Sequence, residues 1–162
     1  GELMVEINDG YNKLKFSIDN YINKKFRKFN KLDEDDCWCK LNICIENEYV
    51  KIDNPYYGLE CIEVDNLYEV LNEFINDKME SNYSFEPIEP SFKIYFYPYG
   101  EEYQNNNYEQ ENISRKDKVV RIFIAFIEKD TKAPSSDGVC IELKIEDVKK
   151  MRSYLENIIK IG

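Results

Sequence analysis

The sequence predicts an α+β fold in which a mostly antiparallel sheet is packed by two amphipathic helices. Many short segments alternate apolar and polar residues, as half-buried strands do. Two longer segments carry apolar residues at three- and four-residue spacing, which is typical of amphipathic helices. Strands and helices do not alternate regularly, so a parallel βαβ fold is disfavoured. The 162 residues match the size of one ordinary domain, and we expect a single domain over residues 1–162.

The first half of the chain predicts strands. Residues 3–7 and 14–18 alternate around an Asp9-Gly10 turn, which predicts a β-hairpin. Residues 20–36 are basic and then acidic, and we interpret them as a connecting loop. A half-buried strand is expected from Cys37 to Ile45, then short strands at residues 50–52 and 59–62.

The second half begins with a predicted helix over residues 65–79, with Asp65 as its N-cap. A strand follows at residues 92–97, and residues 101–118 lack periodicity, which predicts a long hairpin loop. Residues 119–127 are apolar on both alternating sets, as in a central strand covered on both faces. We then expect a turn from Pro134 to Gly138, a strand to Ile145 and a helix over residues 146–160.

Composition limits the functional classes. The net charge is −10, which repels phosphate backbones and disfavours direct nucleic-acid binding. The basic residues 24–29 are interleaved with phenylalanine, but we interpret them as a solvated surface. No segment approaches the roughly 20 apolar residues that span a bilayer, and the start lacks the form of a signal peptide. We therefore expect a cytoplasmic protein without membrane contact.

Few residues are suited to catalysis. The chain has no histidine, which removes the usual general base and metal ligand. Glycine-rich phosphate loops are also missing from the sequence. We therefore predict no enzymatic activity and no cofactor; the competing hypothesis is a histidine-free enzyme that acts through Glu86, Glu89 and Glu128.

The cysteines are expected to be structural. Cys37 and Cys39 fall on the apolar face of a predicted strand, and Cys44 falls on the opposite face. This spacing differs from that of zinc sites and redox motifs. We predict buried free thiols and no metal site.

Two clusters are candidates for binding a protein partner, because acidic side chains attract basic surfaces and tyrosines serve as anchors. One cluster is the acidic run before Trp38, and the other combines acids and tyrosines after residue 96. The residues are Asp33, Glu34, Asp35, Asp36, Tyr97, Tyr99, Glu101, Glu102 and Tyr103.

The order of these segments resembles the WapI-type immunity proteins of bacterial polymorphic-toxin systems. The resemblance rests on short motifs spread over nearly the whole chain. They are the strand Leu14-Lys15-Phe16-Ser17-Ile18 leading to Tyr21, the acidic run before Trp38, the helix from Leu67 to Phe74, the segment Phe85-Glu86-Pro87-Ile88-Glu89-Pro90-Ser91-Phe92, the pair Ile127-Glu128 and the terminal helix.

The resemblance implies a small protein that neutralises a cognate toxin domain delivered by neighbouring cells. Such toxins include nucleases with basic clefts, which an acidic inhibitor can occupy. The alternative function is a protein-binding adaptor or regulatory domain unrelated to toxins. The composition and patterning are compatible with both functions.

Overall fold

The computed structural model describes residues 3–54, 58–101 and 117–161. The fold is α+β, as predicted, and every described strand pair is antiparallel. The strands form two sheets, where the sequence suggested one. A third, short helix accompanies the two amphipathic ones. No helix in the described ranges is long and apolar enough to cross a bilayer.

The first sheet contains five strands in the N-terminal part of the chain. They are β1 (Val5–Asn8), β2 (Lys13–Asp19), β3 (Trp38–Glu46), β4 (Lys51–Asn54) and β5 (Gly58–Glu60). The predicted hairpin is confirmed, because Val5 lies opposite Phe16 across an antiparallel pair. The alternation in β3 is also confirmed, since Cys37 and Cys39 are buried while Trp38 is exposed. One edge of β3 pairs with β2, and β4 and β5 share the other edge.

Residues 20–36 are not the simple loop that was predicted. They contain α1 (Lys24–Phe29) and a 3₁₀ turn (Glu34–Asp36). The Asn23 side chain caps α1 by accepting a hydrogen bond from the Phe26 N–H at 2.8 Å. Six residues are too few for an amphipathic stripe to be recognised, so the helix depends on tertiary contacts.

The first long helix, α2 (Cys61–Ile75), begins four residues before its predicted start. Asp65 is therefore not the N-cap; the cap is Glu60, whose N–H donates to the Glu63 carboxylate at 3.0 Å. The predicted strand at residues 59–62 accordingly ends at Glu60. Met79 lies beyond the helix but is buried in the core, which explains why it belonged to the predicted apolar stripe.

The second sheet contains β6 (Tyr83–Phe85), β7 (Phe92–Tyr97), β8 (Val119–Ile127) and β9 (Pro134–Leu143) in that order. β8 is an inner strand, as predicted, but only one of its faces is buried. Ile122 and Ile124 face the core, whereas Phe123 is half-buried and Phe126 is exposed. A bulge between Ala125 and Ile127 also breaks the alternation.

The connection before β8 agrees with the prediction, whereas the connection after β8 does not. β7 and β8 are antiparallel, in agreement with a hairpin connection, although residues 102–116 lie outside the described residues. Residues 134–138 belong to β9, so the predicted turn there is wrong. The chain turns between Glu128 and Ala133, which share a backbone hydrogen bond of 2.8 Å. Gly138 is required in the strand because a Cβ atom would collide with the Ile124 carbonyl oxygen.

The C-terminal helix, α3 (Ile145–Ile161), agrees with the predicted helix to within one residue at each end. A continuous hydrophobic core joins both sheets, α2 and α3. The ring of Phe16 lies 5.9 Å from that of Phe92 and 6.4 Å from that of Tyr154. The ring of Phe74 lies 5.5 Å from that of Phe96. Each end of α2 lies beside one of the two predicted partner-binding clusters.

Candidate partner-binding site

The acidic run forms a compact 3₁₀ turn directly before β3. The Asp33 carboxylate accepts a hydrogen bond from the Asp35 N–H at 3.2 Å, and the Cys37 N–H donates to the Glu34 carbonyl at 3.2 Å. These bonds turn the chain so that Asp33, Asp35 and Asp36 are exposed and Glu34 is half-buried. The predicted cluster is therefore a surface feature with a defined backbone.

Trp38 lies beside this turn and supplies an aromatic group at its edge. Its indole N–H donates to the Asp35 carbonyl at 2.8 Å, and its side chain is 37% exposed. Gly58 on the neighbouring strand makes room for the indole, because a Cβ there would lie 3.1 Å from the Trp38 ring and 2.9 Å from the Cys39 carbonyl oxygen. The ring is thus held in place while part of it faces solvent.

Strand pairing and helix capping bring further carboxylates to the same place. Glu60 lies directly opposite Trp38 in the β3–β5 pair. Glu63 accepts hydrogen bonds from the backbone of Glu60 and, at 2.9 Å, from that of Ile88. Glu89 accepts from the Gly58 N–H at 2.6 Å. We call Asp33, Glu34, Asp35, Asp36, Trp38, Glu60, Glu63 and Glu89 the acidic end of α2.

Negative charge at the acidic end is largely uncompensated. Within the described residues, Glu34 alone of these carboxylates makes an ion pair with a basic side chain. Burial raises the pKa of Glu60, and the negative charges of Glu63, Asp35 and Glu34 raise this pKa further. The same crowding generates a field that attracts a basic surface.

The basic partner of Glu34 is Arg27 of α1, a buried side chain that is 1% exposed. Its Nη2 lies 2.5 Å from the Asp65 carboxylate, and Nη1 donates to the Ile22 carbonyl. Nε lies 3.0 Å from Glu34, but without hydrogen-bond geometry, so this contact is electrostatic. Burial lowers the pKa of Arg27, but the hydrogen bond to Asp65 and other polar partners raise it overall. Arg27 thus fixes α1 and the acidic turn against α2.

The second predicted cluster, which we call the tyrosine end of α2, consists of Tyr97, Tyr99 and Glu101; Glu102 and Tyr103 lie outside the described residues. The Glu101 carboxylate is ion-paired with Arg121 on β8. The Tyr99 hydroxyl lies 3.1 Å from the Glu80 carboxylate. Tyr97 is half-buried, and burial raises its pKa. Two of these three side chains, Tyr99 and Glu101, are thus engaged with other side chains of the protein.

The structure does not bring the two predicted clusters together. The acidic turn adjoins the first residues of α2, because the Cys61 N–H donates to the Cys37 carbonyl at 2.8 Å. The tyrosine end adjoins the last turn, where Lys118 contacts both the Phe74 ring and Asp77. A helix of 15 residues separates its ends by about 20 Å. A single contact area of ordinary size would be centred on one of them.

Glu60, Glu63 and Glu89 were not predicted as partner-binding residues from sequence, although Glu89 was a candidate in the enzyme hypothesis. The spacing Glu60-x-x-Glu63 resembles a capping pattern, so it is the signal that could have placed the helix start. Glu89 carried no comparable signal, because its position depends on a contact with Gly58. These three acids lie near Trp38 because β3 and β5 pair in the observed register.

The predicted burial of Cys37 and Cys39 is confirmed. Cys37, Cys39 and Cys61 are buried, Cys44 is half-buried and Cys140 is exposed. The Sγ atoms of Cys39 and Cys61 lie 3.5 Å apart. The part of the chain that the structure describes contains no group of three or more histidine, cysteine, aspartate or glutamate side chains placed so that it could hold a metal ion.

The three carboxylates of the enzyme hypothesis have separate partners. Glu86 pairs with Lys93 at 3.3 Å, Glu89 binds the Gly58 N–H, and Glu128 accepts from the Thr131 hydroxyl at 2.9 Å. Glu86 and Glu128 are exposed. No pair of these carboxylates shares a hydrogen-bond partner among the described residues.

The geometry defines a class of protein: an α+β domain with an acidic, aromatic-edged surface. No family model matches the chain, and no curated protein matches it with significant similarity.

Proposed function

We propose that this protein is an immunity protein that binds and neutralises a cognate toxin domain through the acidic end of α2. The observation that carries the proposal is the crowding of carboxylates without basic partners around a partly exposed tryptophan. The resemblance of the segment order to WapI-type immunity proteins supports the same function. The proposal includes a non-catalytic mode of action in the cytoplasm, without bound cofactor.

The charge at the acidic end suits a basic partner surface. Exposed carboxylates that lack internal partners can pair with arginine or lysine without first breaking an ion pair. Their field accelerates association with a basic surface and disfavours acidic competitors. A toxin that acts on nucleic acid presents such a surface where it binds phosphates, so occupation of that cleft would block its activity.

Trp38 gives the surface an apolar anchor. Tryptophan is enriched among the residues that dominate binding energy, and such residues have surrounding groups that exclude water. Ile88, which is 65% exposed, lies in the segment that binds Glu63 and adds apolar area. An aromatic side chain next to charged groups is typical of protein interfaces.

The proposal is tested by co-expression with the C-terminal domain of a large secreted protein encoded next to this chain. We expect growth rescue and a stable complex. The double variant Asp35→Lys/Asp36→Lys should slow association by about tenfold or more, because steering is reversed.

The matched control is Glu48→Lys/Glu73→Lys, which makes the same charge change at two exposed positions, one beyond the far end of β3 and one in the last turn of α2. It should retain protection and associate more rapidly than the first variant. Equal protection by both variants would contradict the assigned surface. A stable complex with a protein that is not toxic would instead favour the adaptor function.

A further inference from the structure

Three cysteines converge beneath the acidic end. Cys37, directly before β3, and Cys39, within β3, are both buried in the core, and Cys61 is the first residue of α2. The Sγ atoms of Cys39 and Cys61 are already in contact at 3.5 Å, although the residues are 22 positions apart in sequence. Formation of a disulfide would require the two sulfur atoms to approach by about 1.5 Å more.

We propose that Cys39 and Cys61 form a site of reversible oxidation, at which an intramolecular disulfide links β3 to the first turn of α2. The assignment is independent of the proposed immunity function, because it rests on the geometry of the sulfur pair. Its chemical partner is a small peroxide, and a thiol reductant reverses the reaction.

The surroundings favour Cys61 as the attacking sulfur. Its Sγ accepts a hydrogen bond from the Ile22 N–H at 3.5 Å. In the sulfur pair either atom can be the donor, and when Cys61 is the thiolate the Cys39 S–H becomes its second donor. The hydrogen bond from Cys39 lowers the pKa of Cys61, burial opposes this, and Ile22 and the Arg27 charge lower the pKa further. The same sulfur contact raises the pKa of Cys39. The position at a helix N-terminus acts in the same direction for Cys61.

The chemistry proceeds in two balanced steps. The Cys61 thiolate attacks one oxygen of hydrogen peroxide, the O–O bond breaks, and the departing hydroxide takes a proton to become water. This step oxidises Cys61 to a sulfenic acid. The Cys39 sulfur then attacks the Cys61 sulfur, the S–O bond breaks, and the released hydroxide takes the Cys39 proton to give a second water. The S–S bond is the only new bond in the protein.

Access to the sulfur pair is controlled by α1 and the residues before it. Cys61 is 0% exposed and Cys39 is 3% exposed, which makes them slower to react than surface thiols. The Ile22 N–H faces Cys61, and Arg27 binds both Ile22 and Asp65. A local opening of this short segment uncovers the pair without unfolding either sheet.

Cys37 is the competing partner. The β3–β5 register, in which Trp38 lies opposite Glu60, continues to a backbone hydrogen bond between Cys61 and Cys37. Cys37 is buried on the same face of β3 as Cys39. The sulfur contact, rather than the backbone pairing, selects Cys39 as the partner.

The test treats the full chain with hydrogen peroxide under native conditions, then unfolds it, alkylates the remaining thiols and maps linked peptides by mass spectrometry. We expect a linked pair of peptides that contain Cys39 and Cys61, and its loss after treatment with dithiothreitol. The variant Cys44→Ser/Cys140→Ser removes the more accessible thiols and should retain the link. Adding Cys39→Ser should abolish the link, whereas adding Cys37→Ser should leave it.

Two results would overturn the proposal. One is a link from Cys61 to Cys37, and the other is complete alkylation of Cys39 and Cys61 after Cys140 has been oxidised. Both can be observed in the unmodified protein, so the test remains decisive if a serine variant does not fold.

Discussion

The two ends of α2 carry similar residue types but differ in how their charges are used. At the acidic end, Asp35 and Asp36 are exposed and have no basic partner among the described residues. At the tyrosine end, Glu101 is bound to Arg121, and the Tyr99 hydroxyl lies near Glu80. An acidic and aromatic composition therefore does not by itself define a docking surface. A carboxylate that is already ion-paired within the protein must give up that pair before it can bind a partner.

The ends also differ in what anchors them to the core. Arg27 at the acidic end is buried among Asp65, Glu34 and the Ile22 carbonyl. Arg121 at the tyrosine end has a side chain that is 37% exposed, and its carboxylate partner is 40% exposed. A buried ion-paired network fixes a surface more firmly than a solvated pair does. The acidic end is therefore the better preorganised of the two.

Replacing each of these two arginines should give the largest difference in the free energy of unfolding. Arg27→Met leaves Asp65 without its cation and should lower the free energy of unfolding by about 3 kcal/mol. Arg121→Met breaks a solvated pair and should lower it by less than about 1 kcal/mol. Urea unfolding of the two variants measures both values. Equal losses would show that the acidic end is not anchored by Arg27.

The second prediction concerns two aromatic side chains and their effect on binding to the proposed toxin domain. Trp38→Ala should weaken the complex by about 2 kcal/mol, as expected for an aromatic anchor. Tyr97→Ala, at the other end of α2, should change the affinity by much less. Titration calorimetry on both folded variants measures the difference. A larger loss for Tyr97→Ala would move the interface to the tyrosine end.

The smallest effect concerns the crowding of acids and depends on pH. Burial and negative neighbours raise the pKa of Glu60 in the folded protein, so the fold favours the protonated, neutral carboxyl. The stability that this protonation contributes is fully present below the unfolded pKa of about 4.5. The contribution is lost as the pH rises through the raised folded value. The variant Glu60→Gln should therefore raise the free energy of unfolding more at neutral pH than at acid pH. Unfolding curves at several pH values measure this trend.

A second variant separates the two causes. In an Asp35→Asn background, the pH-dependent effect of the Glu60→Gln replacement should become smaller, because one negative neighbour is gone. It should not vanish, because burial is the larger cause of the shift. An effect that is independent of pH would contradict the crowding of charge at the acidic end.

Local patterns predicted most of the secondary structure. The alternation from Cys37 to Ile45 depends only on which face of a strand meets the core, and the structure confirms it. The helix start was misplaced because the cap at Glu60 competes with several acidic residues nearby in sequence. The strand at residues 134–138 was missed because Pro134 and Gly138 usually mark turns. Here they lie on an edge strand beside a bulge.

The candidate site was predicted only in part. The acidic run and Trp38 were recognisable because they are consecutive in sequence and polar enough to be exposed. Glu63 and Glu89 joined them through bonds to the backbone of residues 60, 88 and 58. No sequence periodicity reports such contacts, because they depend on how a helix and a loop meet the edge of β3.

By itself, the sequence determined the α+β class, the first hairpin, the alternation of β3 and the surface position of the acidic run, since each follows from local periodicity or composition. The tertiary structure alone decided which charges are left without partners. Arg27 and Asp65 are 38 residues apart, and Glu101 and Arg121 are 20 apart. Ion pairing depends on distance through space between such remote residues, so only the folded chain separates the acidic end of α2 from the tyrosine end.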